Sequence, residues 1–267
     1  MARAYAFDRP PVHLPIIRAV RERLGLSEHV PRALDVGCGA GLSTAALMEL
    51  ADHVAGLEPV SGMLGCCREV AAGASFVAGR AERLPFAAGV IDLVTAAGSL
   101  NYVDLDAFFP QLVRVLAPGG RLVVYDFSEG SRLRDDPRLG AWYAAFTARY
   151  PPRPGYEMDV TAIDYARFGL RLDTYEEFDV AAPMTLATYL RYVMSESGVE
   201  MALARGAAED EIQAWCAATL AGVFGVGTRD VLFEAYIACV SRRNPGSACP
   251  ERSRREDPGL HVSEAAS

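Results

Sequence analysis

The feature that most constrains this chain is a run of alternating elements between Pro31 and Phe127. Arg32–Val36 is an apolar, strand-length stretch; a glycine cluster follows it, and then a helix-length segment, Leu42–Ala51. The pattern repeats through His53–Glu58, Val60–Ala72, Ala74–Ala78, Val90–Ala96, Leu105–Leu116 and Arg121–Phe127. Leu105, Phe108, Phe109, Leu112, Val113 and Leu116 fall at the three- and four-residue spacing of a helix face. Ala117-Pro-Gly-Gly120 then breaks the helix. Short strands alternating with helices predict a doubly wound α/β fold, a mostly parallel sheet covered on both faces.

The glycine cluster is the most informative turn. In Ala33-Leu-Asp-Val-Gly-Cys-Gly-Ala-Gly-Leu-Ser43 a buried strand runs straight into Gly37, Gly39 and Gly41. Glycines there let the backbone bend tightly and approach a ligand without Cβ interference. A helix opens just after them, and its free N–H groups suit an anionic ligand. Glu58 ends the next strand, 23 residues after Asp35. In nucleotide-binding α/β folds a carboxylate near that spacing accepts hydrogen bonds from a ribose diol. The spacing G-x-G-x-G places the third glycine one residue earlier than the dinucleotide fingerprint, which disfavours a nicotinamide-dependent oxidoreductase.

Composition removes other classes. All 26 basic residues among the 267 are Arg, so a Walker-type phosphate loop and Schiff-base chemistry are excluded. A net charge of −8 argues against a broad nucleic-acid footprint. The six Cys and four His complete no zinc-ligand spacing, so no metal is expected. The thiols read as reduced, and with no signal-like or membrane-spanning run the expectation is a soluble, cytoplasmic protein with no membrane partner.

Asp35-Val-Gly-Cys-Gly-Ala-Gly41 resembles the first motif of the class I S-adenosylmethionine-dependent methyltransferases. The resemblance continues through Gly56-Leu-Glu-Pro59, Met63-Leu64, Gly79-Arg-Ala-Glu-Arg-Leu-Pro-Phe86, Ile91-Asp-Leu-Val94 and Arg114-Val-Leu-Ala-Pro-Gly-Gly120. That order is similar to the small-molecule branch containing the ubiquinone/menaquinone-biosynthesis and trans-aconitate types. It implies a Rossmann-like seven-stranded sheet whose last strand, Val231–Val240, is antiparallel, and methyl transfer from S-adenosyl-L-methionine to a small molecule. By the same resemblance, Asp35, Gly37, Cys38, Gly39 and Gly41 hold the methionine end of the cofactor, and Glu58 grips the ribose. Met63 flanks the adenine, Ala81 and Glu82 lie beside its amino group, and Ala97 touches the cofactor from the fourth strand's end. Arg80 stands where the family often has Asp, which leaves the adenine contact to Glu82 or a backbone group. Asn101-Tyr102 stand where relatives often carry His followed by an aromatic.

Catalytic and substrate-binding residues are less marked. Holding two reactants in contact contributes about 7–11 kcal/mol, whereas a general base adds roughly 3–5 kcal/mol, so chemistry of this kind does not require an obvious base. His13, Asn101, Tyr102 and Asp126 are the base candidates; His13 lies in the Tyr5–Ile17 segment that resembles the family's cover over the cofactor. Ser131–Tyr192 carries 11 of the 24 aromatics, about twice its share by length. That enrichment, after the fifth strand, suggests a lid at about 128–159 that closes over an apolar or planar substrate, with Tyr5, Trp142 and Tyr143 as contacts. A helical cap is expected at about 185–225, a strand at Thr174–Val180 and a helix at Val160–Phe168. Residues 1–243 read as one domain and 244–267 as a disordered tail.

Three other functions share parts of this pattern. A non-catalytic S-adenosylmethionine-binding protein would keep the same motifs. The nicotinamide enzyme has the wrong glycine spacing. A serine hydrolase built on Gly41-Leu-Ser-Thr-Ala45 would need its Ser at the strand end, and Ser43 lies seven residues past Val36. Oligomeric state is not readable.

Overall fold

The structure, a computed structural model, describes residues 7–152 and 158–243. The expected tail and Tyr5 lie outside the described residues. Five parallel strands form one half of the sheet: β1 (Val30–Val36), β2 (Ala51–Glu58), β3 (Ser75–Ala78), β4 (Ile91–Ala97) and β5 (Leu116–Phe127). Beyond them lie β6 (Arg132–Leu133), β7 (Leu170–Thr185) and β8 (Thr228–Arg242). The order is β3-β2-β1-β4-β5-β8-β6, with β7 paired along the other edge of β8. Strand β8 runs antiparallel to β5 and β7.

The described sheet therefore has eight strands rather than the expected seven. Strand β5 covers only Ala235–Ser241 of β8, and the two-residue β6 pairs with Val231 and Leu232 just beyond. Residues Ala117–Gly120 bulge out of register: Ile91 faces Leu116 and Leu93 already faces Arg121. The Pro-Gly-Gly break thus falls inside the strand as drawn.

Alternation along β5 builds two cores, as a pleated strand with both faces covered must. Leu122 and Val124 pack with Phe108, Phe109 and Leu112 of α4 (Leu105–Val115) on one face. Val123 and Tyr125 pack on the other face, beneath α1 (His13–Leu24) and the helical cap. Between them in sequence lie the short α2 (Leu42–Leu47) and α3 (Ser61–Val70). Helix α1 was not foreseen; Val12, Ile16, Ile17 and Val20 form its buried stripe, and Gly25 ends it in the left-handed region at φ 63°.

The segment expected to be a loop-like lid contains α5 (Arg138–Arg149). Leu139, Trp142 and Phe146 recur at helical spacing and form its buried seam. Helix α5 docks on the cap, formed by α6 (Leu186–Met194), α7 (Ser197–Ala204) and α8 (Glu209–Phe224). Trp142 stacks on Phe146 and on Trp215, and its Nε1 donates to Thr219 Oγ1 at 2.7 Å. The expected helix at Val160–Phe168 reduces to a 3-10 turn over Tyr165–Phe168, and β7 extends well beyond Thr174–Val180 at both ends. Trp142→Ala should lower the unfolding free energy by about 3–5 kcal/mol in urea titration, the usual cost of removing a buried large aromatic. A loss below 1 kcal/mol would show that α5 is not part of the packed core.

Candidate functional site

Strand β1 delivers the chain into Gly37, Gly39 and Gly41, whose φ values are 70°, 54° and 96°. Side chains other than glycine rarely adopt these values. At Gly37 the space is closed as well, since a Cβ there would lie 2.5 Å from the Ser99 Cβ. The amides of Gly37 and Cys38 both donate to the Leu57 carbonyl, at 2.8 and 3.1 Å, which ties the turn to the end of β2. Ser99 Oγ donates to the Val36 carbonyl at 2.6 Å and ties the end of β4 to the same place. The turn therefore sits where strand order reverses across β1, the position at which open α/β sheets take their ligands.

Two carboxylates frame this turn differently. Glu58, at the end of β2, is 7% exposed. Its Oε2 accepts the Gly39 amide at 3.1 Å and its Oε1 the Val60 amide at 2.9 Å. Asp35 lies beneath the turn and is fully buried. Its Oδ2 accepts from Ser43 Oγ at 2.6 Å and Thr44 Oγ1 at 2.7 Å, and its Oδ1 from Thr95 Oγ1 at 3.0 Å. Burial raises the Asp35 pKa, and the three hydroxyl bonds oppose that shift.

Of the remaining expected cofactor residues, Cys38 and Met63 lie at the same turn. The Met63 methyl would lie 3.6 Å from a Cβ placed on Gly39. Cys38 is buried, and the Cys67 thiol donates to the Gly39 carbonyl at 3.2 Å. Burial pushes both thiols up, so they stay protonated and unreactive. Ala81 is buried in a 3-10 turn over Ala81–Arg83. Glu82 accepts the Asp104 amide at 3.1 Å and pairs with the outward-facing Arg80 at 3.6 Å. Ala97 ends β4 opposite Tyr125 of β5.

Beside the turn, a cavity of about 220 Å³ opens off Gly98, Ser99 and Asn101, with Asp126 and Tyr236 on its far wall. Burial raises the pKa of Asp126. Among the base candidates, Asn101 and Asp126 line this space; Tyr102 does not, being 78% exposed. His13 lies on the other face of the sheet, because Tyr125 and Asp126 are consecutive on β5 and point oppositely. Its Nδ1 is 3.0 Å from the Tyr125 hydroxyl, and its ring meets Phe127 edge-on. Burial, with Arg9 nearby, lowers its pKa to about 4, so it is neutral at pH 7. Of the expected substrate contacts, Trp142 is a cap-core residue and Tyr143 is half-buried on the same helix. Gly98, Ser99 and Tyr236 were missed. The signal for Tyr236 was available, as a phenol inside the otherwise apolar run Ala235–Val240.

A family model described as a methyltransferase domain matches residues 34–124. A demethylmenaquinone methyltransferase from Beutenbergia cavernae is 32% identical over 166 residues, covering 62% of this chain and 68% of that protein. Its counterpart from Mycolicibacterium vanbaalenii is 43% identical over 114 residues, covering 42% of this chain and 48% of that protein. The chain thus spans about half the length of the Mycolicibacterium relative. In fold it is similar to a solved structure described as a type II methyltransferase from Anaeromyxobacter dehalogenans, with a TM-score of 0.67 and 21% identity, covering 88% of this chain and 97% of that one. The sheet with its glycine turn is that of the Rossmann-like methyltransferases. The chain belongs to the class I S-adenosylmethionine-dependent methyltransferases. No helix among the described residues is long and apolar enough to cross a membrane.

The His13 environment has a pH consequence. The unfolded chain takes up this proton near 6.5 and the folded chain only near 4, so the contribution of neutral His13 to stability is lost as pH falls through that window. The melting temperature of the parent should therefore fall more between pH 7 and pH 5 than that of His13→Asn, in paired thermal scans. Equal falls would show that His13 titrates normally.

Proposed function

We propose that this chain transfers a methyl group from S-adenosylmethionine to a small-molecule acceptor, with the cofactor held on the Gly37–Gly41 turn. The observation that carries this reading is the Glu58 carboxylate, anchored to the turn by the Gly39 amide. A carboxylate offers about four acceptor positions, and two of those on Glu58 are taken by backbone amides. The others suit a ribose diol, so the residues present fit the cofactor. Met63 and Ala81 would flank the adenine; Gly37, Cys38, Gly39 and Gly41 would bring backbone to the methionine end, and Ala97 would close the β4 side. Asp35 would act through the turn it braces, since both its oxygens are engaged by hydroxyls. Glu82 would reach the adenine side only in exchange for its bond to Asp104.

When bound, the cofactor supplies a methyl already activated on a sulfonium sulfur. The task of the chain is then to hold the acceptor in line and keep water away, which is worth about 7–11 kcal/mol against roughly 3–5 kcal/mol for a base. The cavity at Gly98–Asn101 is the space that adjoins the turn on the β4 side, and it supports acceptor binding there. The curated relatives are named for demethylmenaquinone; the acceptor of this chain is taken here only as a small molecule.

Glu58→Ala should weaken S-adenosylmethionine binding by at least tenfold in isothermal titration, because two charge-assisted hydrogen bonds of about 1.5–3 kcal/mol each would be lost. Labelled cofactor incubated with metabolite extracts should yield a labelled small product with the parent chain. Equal binding by parent and variant would refute the placement. Preferential binding of a nicotinamide dinucleotide would refute the reading itself.

A further inference from the structure

The cavity beside the turn contains a carboxylate that the described structure leaves without a cation. Asp126 Oδ1 accepts the amide of its neighbour Phe127 at 2.9 Å, and Oδ2 receives no donor from the described residues. A Cβ placed on Gly98 would lie 2.9 Å from Oδ1, so the glycine leaves this carboxylate open toward the end of β4. No described Arg lines the cavity, in a chain where most paired carboxylates are held by Arg. Burial already disfavours the charged form of Asp126. A partly buried carboxylate of this kind is costly until a cation or a set of donors compensates it.

The wall next to Asp126 suits a cation. In the β5–β8 ladder Asp126 faces Tyr236, and in the β8–β7 ladder Tyr236 faces Glu177. Directly opposed residues share a sheet face, so carboxylate, phenol and carboxylate form a row across three strands. Tyr236 also packs against the Tyr175 ring at 5.7 Å, and the Tyr175 hydroxyl donates to Glu177 at 2.5 Å. An ammonium group gains from a carboxylate and from a tyrosine face together. An anion would meet the Asp126 carboxylate, and a neutral hydroxyl would leave the charge of Asp126 uncompensated.

We propose that this cavity is the acceptor subsite and that it selects a molecule carrying a protonated amine, seated between the Asp126 carboxylate and the Tyr236 ring. The assignment rests on the methyl-transfer reading only in calling that amine-bearing molecule the acceptor. A dry cavity of about 150 Å³ holds a benzene ring; at about 220 Å³ this one fits the head of a small amine, with any larger body extending outward.

Benzylamine, benzyl alcohol and benzoate are matched in size and differ in charge, so titrating each into the full chain tests the proposal. Benzylamine should bind at least tenfold more tightly than benzyl alcohol, and benzoate should not bind. Asp126→Asn should weaken benzylamine by at least tenfold, leave benzyl alcohol unchanged, and keep the melting temperature of the parent, because it removes only a poorly compensated charge. Failure of the parent to prefer benzylamine, or an unchanged affinity in Asp126→Asn, would overturn the proposal. If the variant proves unstable, the three titrations on the parent decide alone. S-adenosylmethionine titrated in parallel separates the two readings: a parent that binds benzylamine and not the cofactor sinks the methyl-transfer reading and leaves the amine subsite standing.

Discussion

The site depends on one buried carboxylate that touches no solvent. Asp35 joins β1 to the first residues of α2 through Ser43 and Thr44, and to β4 through Thr95. Burying such a group is unfavourable unless its lone pairs are filled. The three hydroxyls fill them with charge-assisted bonds worth about 1.5–3 kcal/mol each. With both oxygens engaged, the end of β1, the start of α2 and the end of β4 hold fixed distances. The glycine turn is strung between those points, so its shape is set before any ligand arrives. Removing one hydroxyl would cost more than one bond, because the charge left behind would be under-compensated.

The sheet then divides the molecule into two polar environments with a common physical cause. On the cap face, His13 is held neutral against Tyr125 and Phe127; on the α4 face, Asp126 is pushed toward its protonated form. Desolvation disfavours the charged state in both cases, and it moves the two pKa values in opposite directions because one group is a base and the other an acid. His13 is locked by its phenol partner and packs as a structural element of α1. Asp126 keeps an open oxygen and faces a cavity, whereas His13 is closed in by Tyr125 and Phe127.

How much of this was legible in the sequence follows from which interactions are local. The strands and helices between Arg32 and Phe127 were readable because each is set by its own periodicity and turn residues, and the placement of Glu58 followed from its position at the end of the next strand, 23 residues after Asp35. Helices α1 and α5 were not foreseen. Each carries a short apolar period, Ile16, Ile17 and Val20 in one and Leu139, Trp142 and Phe146 in the other, but the Pro and Arg residues around it read as loop. Strand β6 is two residues long and exists because β8 outreaches β5. The Asp126–Tyr236 juxtaposition joins residues 110 positions apart. It depends on antiparallel register, which no local pattern encodes.

That register is the quantity on which the cavity beside the turn depends. A slip of one residue would exchange the faces of β8, sending Tyr236 into the cap core and Ile237 into the cavity. Two contacts at opposite ends of the strand oppose such a slip. Near its start, Val231 and Leu232 pair with β6, and the chain must return to the edge left by β5 to make that pairing. At its end, the Arg242 guanidinium donates to the carbonyls of Val113 and Leu116, where α4 passes into β5. The short strand and the half-buried Arg would each look incidental alone. Together they fix which face of β8 lines the Gly98–Asn101 cavity, and so couple the antiparallel half of the sheet to the half that carries the glycine turn.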